Sequence, residues 1–404
     1  MTATPTVLIA GGGLNGLCLA VALDQAGIDC AVVDRADLTA RRAPDFDGRA
    51  YALALSTRRM LEALGLWSHV GGQAEAILDI HISGGRTGAP VLHFDHLELD
   101  EGPMGHFLED RFLRAALLDR VEAAPHVTLM SNTVVEAETV TPAGVAVTLS
   151  SGQTVKTRLL VAADGRRSPI AARAGIRRLE VDYRQTSLVT AIDHAVPHQG
   201  TAAQVFLPEG PLAMLPLPGN RSSLVWTESA ARAAAINALD DAAYLAVLRP
   251  RFGDHLGEIA LAGVRYSYPI GLSLATRLTA PRLALVGDAG HGIHPLAGQG
   301  LNLGFRDTAA LAEVLAEAVR RGEDPGAADV LERYRRWRSF DIAALSLATD
   351  GINRIFSNSN PILGLGRTLA LGAVQRLPGL RRRLIREAAG LTGDLPALLE
   401  GRAL

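Results

Sequence analysis

Four apolar residues, Val7 to Ala10, run straight into three glycines, and apolar positions then return at helical spacing through Leu17, Ala20, Val21 and Leu23. The first run is strand-length, and the second predicts a helix over 14–25 that Gly27 ends. Ile28 to Asp34 is a second apolar run, so the chain opens as β-α-β. Arg58 to Leu66 predicts another helix, stopped near Gly65. The character then changes. Leu78, Ile80 and Ile82 alternate with Asp79 and His81, and Gly84-Gly85 marks a turn, the pattern of antiparallel sheet with one wet face.

Helical spacing returns over 111–123. Val145, Val147 and Leu149 alternate as a strand, and Leu159 to Ala163 is a wholly apolar strand that runs into Asp164-Gly165. From about 181 to 264 strands dominate, at 188–192, 204–207, 212–217 and 223–227, with one helical patch over 234–248. Their inward face, with Phe206, Leu207, Leu215 and Leu217 among the candidates, offers apolar surface with few charges. Leu283 to Val286 predicts one more buried strand and 301–320 a long helix. Repeats and low-complexity tracts are absent.

Composition narrows the function classes. The chain has 404 residues, 48% hydrophobic and 20% charged, which suits two or three compact units. A net charge of -2 gives no drive toward nucleic acid or a membrane. Cys18 and Cys30 both sit in apolar context and read as small buried hydrophobes in a reduced, cytoplasmic setting. Lys156 is the only lysine, which excludes a G-K-[ST] phosphate loop and offers no placed Schiff-base amine. No run of about 18 apolar residues lacks interruption, so no spanning helix is expected. His291 and His294 lie three apart with no third ligand in reach, which makes packing and loop hydrogen bonding the better reading than a metal site.

Gly11, Gly13 and Gly16 form G-x-G-x-x-G after a strand and at the head of a helix, and Asp34 ends the next strand. The spacing suits a tight turn, a pyrophosphate against the backbone, close helix–strand packing, and an acid for the adenosine ribose. Far downstream, Gly287 to Gly304 reads G-D-A-G-H-G-I-H-P-L-A-G-Q-G-L-N-L-G. Here a buried strand ends at an acid, Asp288, Pro295 stiffens a loop, and glycines lead into a helix whose first N–H groups suit negative charge. Gly364-Leu365-Gly366 has no strand before it and no suitable acid after it, so a second dinucleotide fingerprint is missing.

The downstream segment resembles the G-D-A-A-H-x-x-x-P-x-x-G-Q-G-x-N-x-G pattern of FAD-dependent aromatic hydroxylases, with Gly290 where alanine is usual. Leu160 to Ser168 is similar to the D-G segment of that group. Further residues resemble its ubiquinone-biosynthesis branch: Asp47-Gly48-Arg49 with A-L-A-L-S, the stretches 205–218 and 222–227, R-Y-x-x-W-R from Arg333, and D-G-I-N-R-I-F-S-N ending at Asn358. Val205 stands where several relatives carry a polar or basic residue, which bears on substrate choice.

The resemblance implies an α/β fold: a Rossmann-type FAD-binding domain (1–72, 103–180 and 265–350), an inserted antiparallel β-sheet substrate domain (73–102 and 181–264), and a C-terminal helical region (351–404). It implies that Gly11, Gly13, Gly16, Asp34, Arg111, Asp164 and Asp288 bind FAD, with Arg111 reaching the phosphates. It places Arg49 and Pro295 beside the flavin and the Gly300, Leu301 and Asn302 backbone at the pyrimidine end of its ring. It implies hydroxylation of a polyprenylated phenol through a flavin hydroperoxide, with NAD(P)H a transient reductant and molecular oxygen a co-substrate. A flavin-dependent reductase or dehydrogenase of another apolar substrate, a general aromatic hydroxylase, and a scaffold that has lost flavin stand as alternatives. Arg376, Arg381, Arg382, Arg383 and Arg386 lie among leucines, which leaves open a basic surface for the inner membrane or partner proteins, or a solvated helix packed by its leucines on its own domain. Self-association is likewise left open.

Overall fold

The structure is a computed structural model that describes residues 4–41, 49–84, 91–293, 298–356 and 371–404, without the side chains of Arg41, Phe252 and Phe356. Five parallel strands form its first sheet in the order Leu283–Leu285, Leu159–Ala162, Val7–Ala10, Cys30–Val33, Val127–Met130, with Thr279–Ala280 antiparallel at one edge. The first four strands are buried along their whole length because both faces are covered, which is why they read as unbroken apolar runs. Val7, Ile9, Val32 and Val161 face the helices Leu14–Gln25 and Gln299–Arg320. Leu8, Ala10, Leu160 and Leu285 face an antiparallel meander that carries Val145, Val147 and Leu149. Cys18 and Cys30 are free thiols in this core, and burial pushes the Cys30 thiol up to about 12.

A nine-stranded sheet forms the second unit. Its path runs His291–Gly292, Tyr266–Ala275, Arg178–His194, Arg221–Ser229, Gly210–Leu217, Thr201–Leu207, Asp79–Gly84, Leu92–Asp95, with Ile259–Leu261 paired to Arg178–His194. Thr201–Leu207 and Asp79–Gly84 pair in parallel and the other pairs are antiparallel, so the sheet is mixed where the sequence pattern predicts purely antiparallel pairing. It also takes in Tyr266–Ala275 and the start of Arg178–His194, so strand pairing crosses the expected divisions at 180/181 and 264/265. The helical patch expected over 234–248 is two helices, Ala230–Asn237 and Asp241–Phe252, parted by Asp240, whose carboxylate caps the second by accepting from the Ala243 N–H at 2.8 Å.

The two faces of this sheet differ in role. Val205, Leu207, Leu212, Met214 and Trp226 pack under those two helices. Leu215, Leu217, Ala202, Ile80 and Ile82 point the other way, into a cluster shared with Ala50, Ala52 and Phe107. Alternation therefore removes Leu207 from the expected inward set and leaves Phe206, Leu215 and Leu217. It also places Val205 on the helix side, away from that cluster. The C-terminal helix Pro378–Ala388 closes the cluster with Ile385, and Ala389 just beyond it adds to the seal, while Leu377, Leu380 and Leu384 stay exposed. Leu371 and Leu391, on either side of this helix, join Ile385 and Ala389 in the cluster, so the tail packs on its own domain in part by its leucines.

A three-stranded sheet, Ala50–Ala54, Gly105–Glu109 and Glu75–Ile77, joins the two units. On it His106 stacks edge-on to Trp67 at 4.9 Å, its Nδ1 buried without a partner. Burial, aided by Arg58, lowers its pKa from 6.5 to about 4. Because the unfolded chain binds this proton first, stability is complete above pH 6.5 and is lost as pH falls toward 4. His106 alone should remove about 2 kcal/mol between pH 7 and 5. Denaturation midpoints at the two pH values, wild type against His106→Gln, check this, and an equal pH slope in both proteins contradicts it.

Candidate active site

The carboxyl ends of the parallel strands build the site. After Ala10 the chain turns at Gly11, whose N–H donates to the Val33 carbonyl at 2.8 Å. Gly11 holds φ +113°, and a Cβ there would lie 2.3 Å from the Ala163 carbonyl oxygen. A Cβ on Gly16 would lie 1.9 Å from the Gly11 oxygen. Gly13 differs, because its Cβ position opens on empty space. Gly13 is also the N-cap of Leu14–Gln25, and no side chain caps that helix. Its first N–H groups and dipole therefore stand over an open cradle.

Asp34 braces this turn. Its carboxylate accepts from the Gly12 N–H at 2.7 Å and from the Ala36 N–H at 2.8 Å. Asp164, next to the Gly11 turn, has both carboxylate oxygens buried with no hydrogen-bond partner. Burial raises its carboxyl above the usual range, and the nearby Ser168 turn offsets only part of that. A buried acid in this state demands a donor such as a ligand hydroxyl.

The second fingerprint docks directly on the first. Asn15 lies between Gly287 and Gly304: a Cβ on Gly287 would sit 2.2 Å from Asn15 Nδ2, and one on Gly304 2.5 Å from Asn15 Oδ1. Asp288 follows Gly287 and is exposed on a 3-10 turn whose Asp288 and Ala289 carbonyls accept from Arg178, at 3.3 and 2.6 Å. The helix begins at Gln299, two residues before Leu301. Gly298 at φ +63° is its N-cap, held against Ala52, and Gly300 opens on empty space like Gly13. The Asn302 side chain is spent internally: Oδ1 accepts from Ala54 N–H and Thr57 Oγ1, and Nδ2 donates to the Ala52 and Gly298 carbonyls. Only the backbone there remains for a ligand.

Arg49 and Arg111 are in ion pairs. Arg49 lies 3.6 Å from Asp110, and Arg111 donates to Glu109 at 2.6 Å. Burial would raise the Asp110 carboxyl, but Arg114 and Arg49 outweigh it and hold it low. Arg49 precedes the strand whose Ala52 and Ala54 touch Gly298 and Asn302, so it borders the groove. Pro295, His294, Asp47 and Gly48 lie outside the described residues.

Sequence reasoning missed what stands behind the second fingerprint. Asp307 is fully buried and accepts from the Gly287 N–H at 3.0 Å, pairs with His291 at 2.5 Å and accepts from Arg338 Nε at 2.8 Å. Burial alone would raise its carboxyl, and the neighbouring His291 and Arg338 hold it below the usual range instead. Tyr334 donates to the Leu285 carbonyl at 2.7 Å. The R-Y-x-x-W-R stretch therefore secures the strand and turn that present Asp288. Asn15 carried no signal beyond being polar in apolar surroundings, and Arg178 none beyond being one charge among several.

A mostly parallel sheet with glycine turns at its carboxyl ends, two uncapped helix N-termini and an apolar sheet across the groove define a flavoprotein hydroxylase of the aromatic type. The chain belongs to the FAD binding domain family, which matches residues 4–345, and within it to the ubiquinone-biosynthesis hydroxylases. It is 45% identical over 399 residues to ubiquinone hydroxylase UbiL of Rhodospirillum rubrum, covering 98% of this chain and 92% of that one. It is 33% identical to 3-demethoxyubiquinol 3-hydroxylase of Escherichia coli, over 97% of this chain and all of that one (100%). The solved structure of p-nitrophenol 4-monooxygenase PnpA from Pseudomonas putida shares the fold at TM-score 0.81 and 20% identity, covering 98% of this chain and 100% of that one.

The buried ion network makes a firm stability prediction. Asp307→Ala takes the acceptor from the buried Arg338 Nε, leaving Asp341 as its remaining carboxylate partner, and should cost about 3–5 kcal/mol. Chemical denaturation checks it, and a loss under about 1 kcal/mol, the scale of a surface pair, contradicts it.

Proposed function

We propose that this enzyme hydroxylates the aromatic ring of a polyprenylated phenol in ubiquinone biosynthesis, using NAD(P)H as reductant and molecular oxygen as second substrate. The observation that carries the proposal is the meeting of two glycine-capped, side-chain-free helix N-termini at one groove, walled on its far side by an apolar sheet face. The names of the ubiquinone hydroxylase relatives support the substrate class.

The residues present fit FAD. Gly13 leaves space for the pyrophosphate over the first helix N-terminus, and Gly11 and Gly16 let that turn close. Asp34 holds the turn and reaches the adenosine ribose. Asp164 and Asp288 take the ribityl hydroxyls, which gives the Asp164 oxygens the donor they lack. Gly300, Leu301 and Asn302 present backbone N–H groups, whose dipole stabilises negative charge at the pyrimidine end of a flavin ring. Arg49 borders the ring, Arg111 reaches the phosphates after leaving Glu109, and Pro295 lies beside the ring by the resemblance.

FAD, when bound, supplies the oxygen activation: one oxygen atom enters the phenol ring and the other leaves as water at the expense of NAD(P)H. The protein orients the ring, excludes water and stabilises charge. Leu215, Leu217, Ile80 and Phe107 receive the greasy part of the substrate. Among the described residues no helix is long and apolar enough to cross a membrane. We place the protein at the inner membrane surface through the C-terminal helix, where Arg382, Arg383, Leu380 and Leu384 are exposed beside the apolar cluster.

Gly13→Val should fold normally, since its side chain meets no protein atom, yet lose FAD. Gly16→Ala should instead destabilise the fold itself, by overlap with the Gly11 carbonyl. Flavin absorbance and thermal melts separate the two, and full flavin occupancy in folded Gly13→Val refutes the placement.

The tail preference is equally testable. Each buried methylene contributes about 0.8 kcal/mol, so one five-carbon prenyl unit should tighten binding more than tenfold. Product formed per NAD(P)H consumed, across phenols of rising tail length, measures it; equal coupling and affinity for tailless phenols leave a general aromatic hydroxylase. Leu380→Asp with Leu384→Asp should slow turnover of long-tailed substrate in anionic vesicles and spare a single-prenyl phenol in solution. Unchanged vesicle turnover removes the membrane face.

A further inference from the structure

The apolar wall of the groove has an outer side, and the edge hairpin of the nine-stranded sheet carries an unexplained cluster there. Asp79–Gly84 and Leu92–Asp95 pair antiparallel, with His81 directly opposite His93. Asp79, two residues before His81, shares its face. His93 Nε2 lies 2.5 Å from Asp79 Oδ1, and the His81 and His93 rings meet edge-on at 4.8 Å. One donor atom from each of the three lies within 4.8 Å of the other two. This set is distinct from the His291–His294 pair, whose first member is tied to Asp307.

We propose that Asp79, His81 and His93 bind one zinc ion on the outer face of the sheet. A lone surface ion pair accounts for Asp79 with His93. It leaves unexplained why a second imidazole is packed against the first with a single carboxylate between them. Two imidazoles and a carboxylate are a three-ligand set that favours zinc, and ligands at 2.0–2.2 Å in a tetrahedron sit about 3.4 Å apart, within small rotations of the observed spacing. The fourth position has room. His81 opens on a cavity of about 520 Å³ that His198, Asp254 and His255 also line. No cysteine is needed, and all three ligands are half-buried, so the ion exchanges with solvent.

The same strand separates this site from the groove. Ile80 and Ile82, between and beyond the ligands, face the apolar cluster with Ala202 and Leu217. Zinc therefore ties the two edge strands together and stiffens the wall that receives the substrate, with no part in redox chemistry.

The test uses FAD-loaded protein, free of any polyhistidine tag and stripped with a chelator. Calorimetric titration with zinc chloride should give one ion per chain. His81→Ala and His93→Ala should each weaken binding at least tenfold with FAD content unchanged, while His126→Ala, in the turn before Val127–Met130 of the parallel sheet, should not. Cobalt(II) should give the intense visible bands of a tetrahedral site in wild type and lose them in both variants. As a check against misfolding, zinc should raise the melting temperature of wild type and leave that of His93→Asn unmoved. Binding below one ion per chain, equal affinity in wild type and the two alanine variants, or an equal zinc shift in His93→Asn overturns the proposal.

Discussion

The site depends on a contact that only hydrogen atoms fit. Asn15 is wedged between Gly287 and Gly304, where an added Cβ would lie 2.2 and 2.5 Å from its side chain, so two segments distant in the chain pack too closely for any side chain at those glycines. Any side chain at either glycine would push the two fingerprints apart. The Leu14–Gln25 and Gln299–Arg320 helices would then no longer start at one groove. The contact has a cost: Asn15 Oδ1 is buried without a hydrogen-bond partner. Thr308 Oγ1 adds a 3.4 Å bond to the Asn15 carbonyl, which keeps the second helix seated.

Charge, not apolar packing, fixes the second turn from behind. Asp307, His291 and Arg338 are all nearly or wholly buried, and Asp307 spends one oxygen on the Gly287 N–H. Arg338 continues to Asp341, which Arg306 also approaches, and Arg306 donates to the Gly390 carbonyl at 2.9 Å. The turn presenting Asp288 is thus linked through one polar chain to the C-terminal segment. The long Ala328–Phe356 helix is the carrier, and it also reaches the sheet, where Asp350 accepts from Tyr183 at 2.7 Å. Buried ion networks of this kind are weak in net stability but costly to break, which suits a position that must hold one geometry.

The nine-stranded sheet divides the second unit into a greasy side toward the groove and a helix-packed side away from it. Strand alternation assigns each residue, so neighbours such as Phe206 and Leu207 serve opposite faces. Val205 falls on the helix side, where it packs under the two helices and lines the outer cavity. Ile385 and Ala389 seal the greasy side while Leu380 and Leu384 face out, so the C-terminal helix joins the apolar cluster to the surface.

Local chemistry made much of this legible in the chain alone. The β-α-β opening, the glycine turn, Asp34 at the strand end and the Gly287–Gly304 segment follow from run lengths and from residues that only glycine or an acid can replace. Buried parallel strands and the long second helix were equally readable, since each declares itself within some twenty residues. Pairing partners were not. The parallel junction of Thr201–Leu207 with Asp79–Gly84, the face each strand residue takes, and the entry of Tyr266–Ala275 into the large sheet depend on which distant strand lies alongside. Asn15, Arg178, Asp307 and the Asp79–His81–His93 cluster share that reason. Each matters through atoms supplied by another element, and an isolated polar residue in a sequence does not say what it will meet.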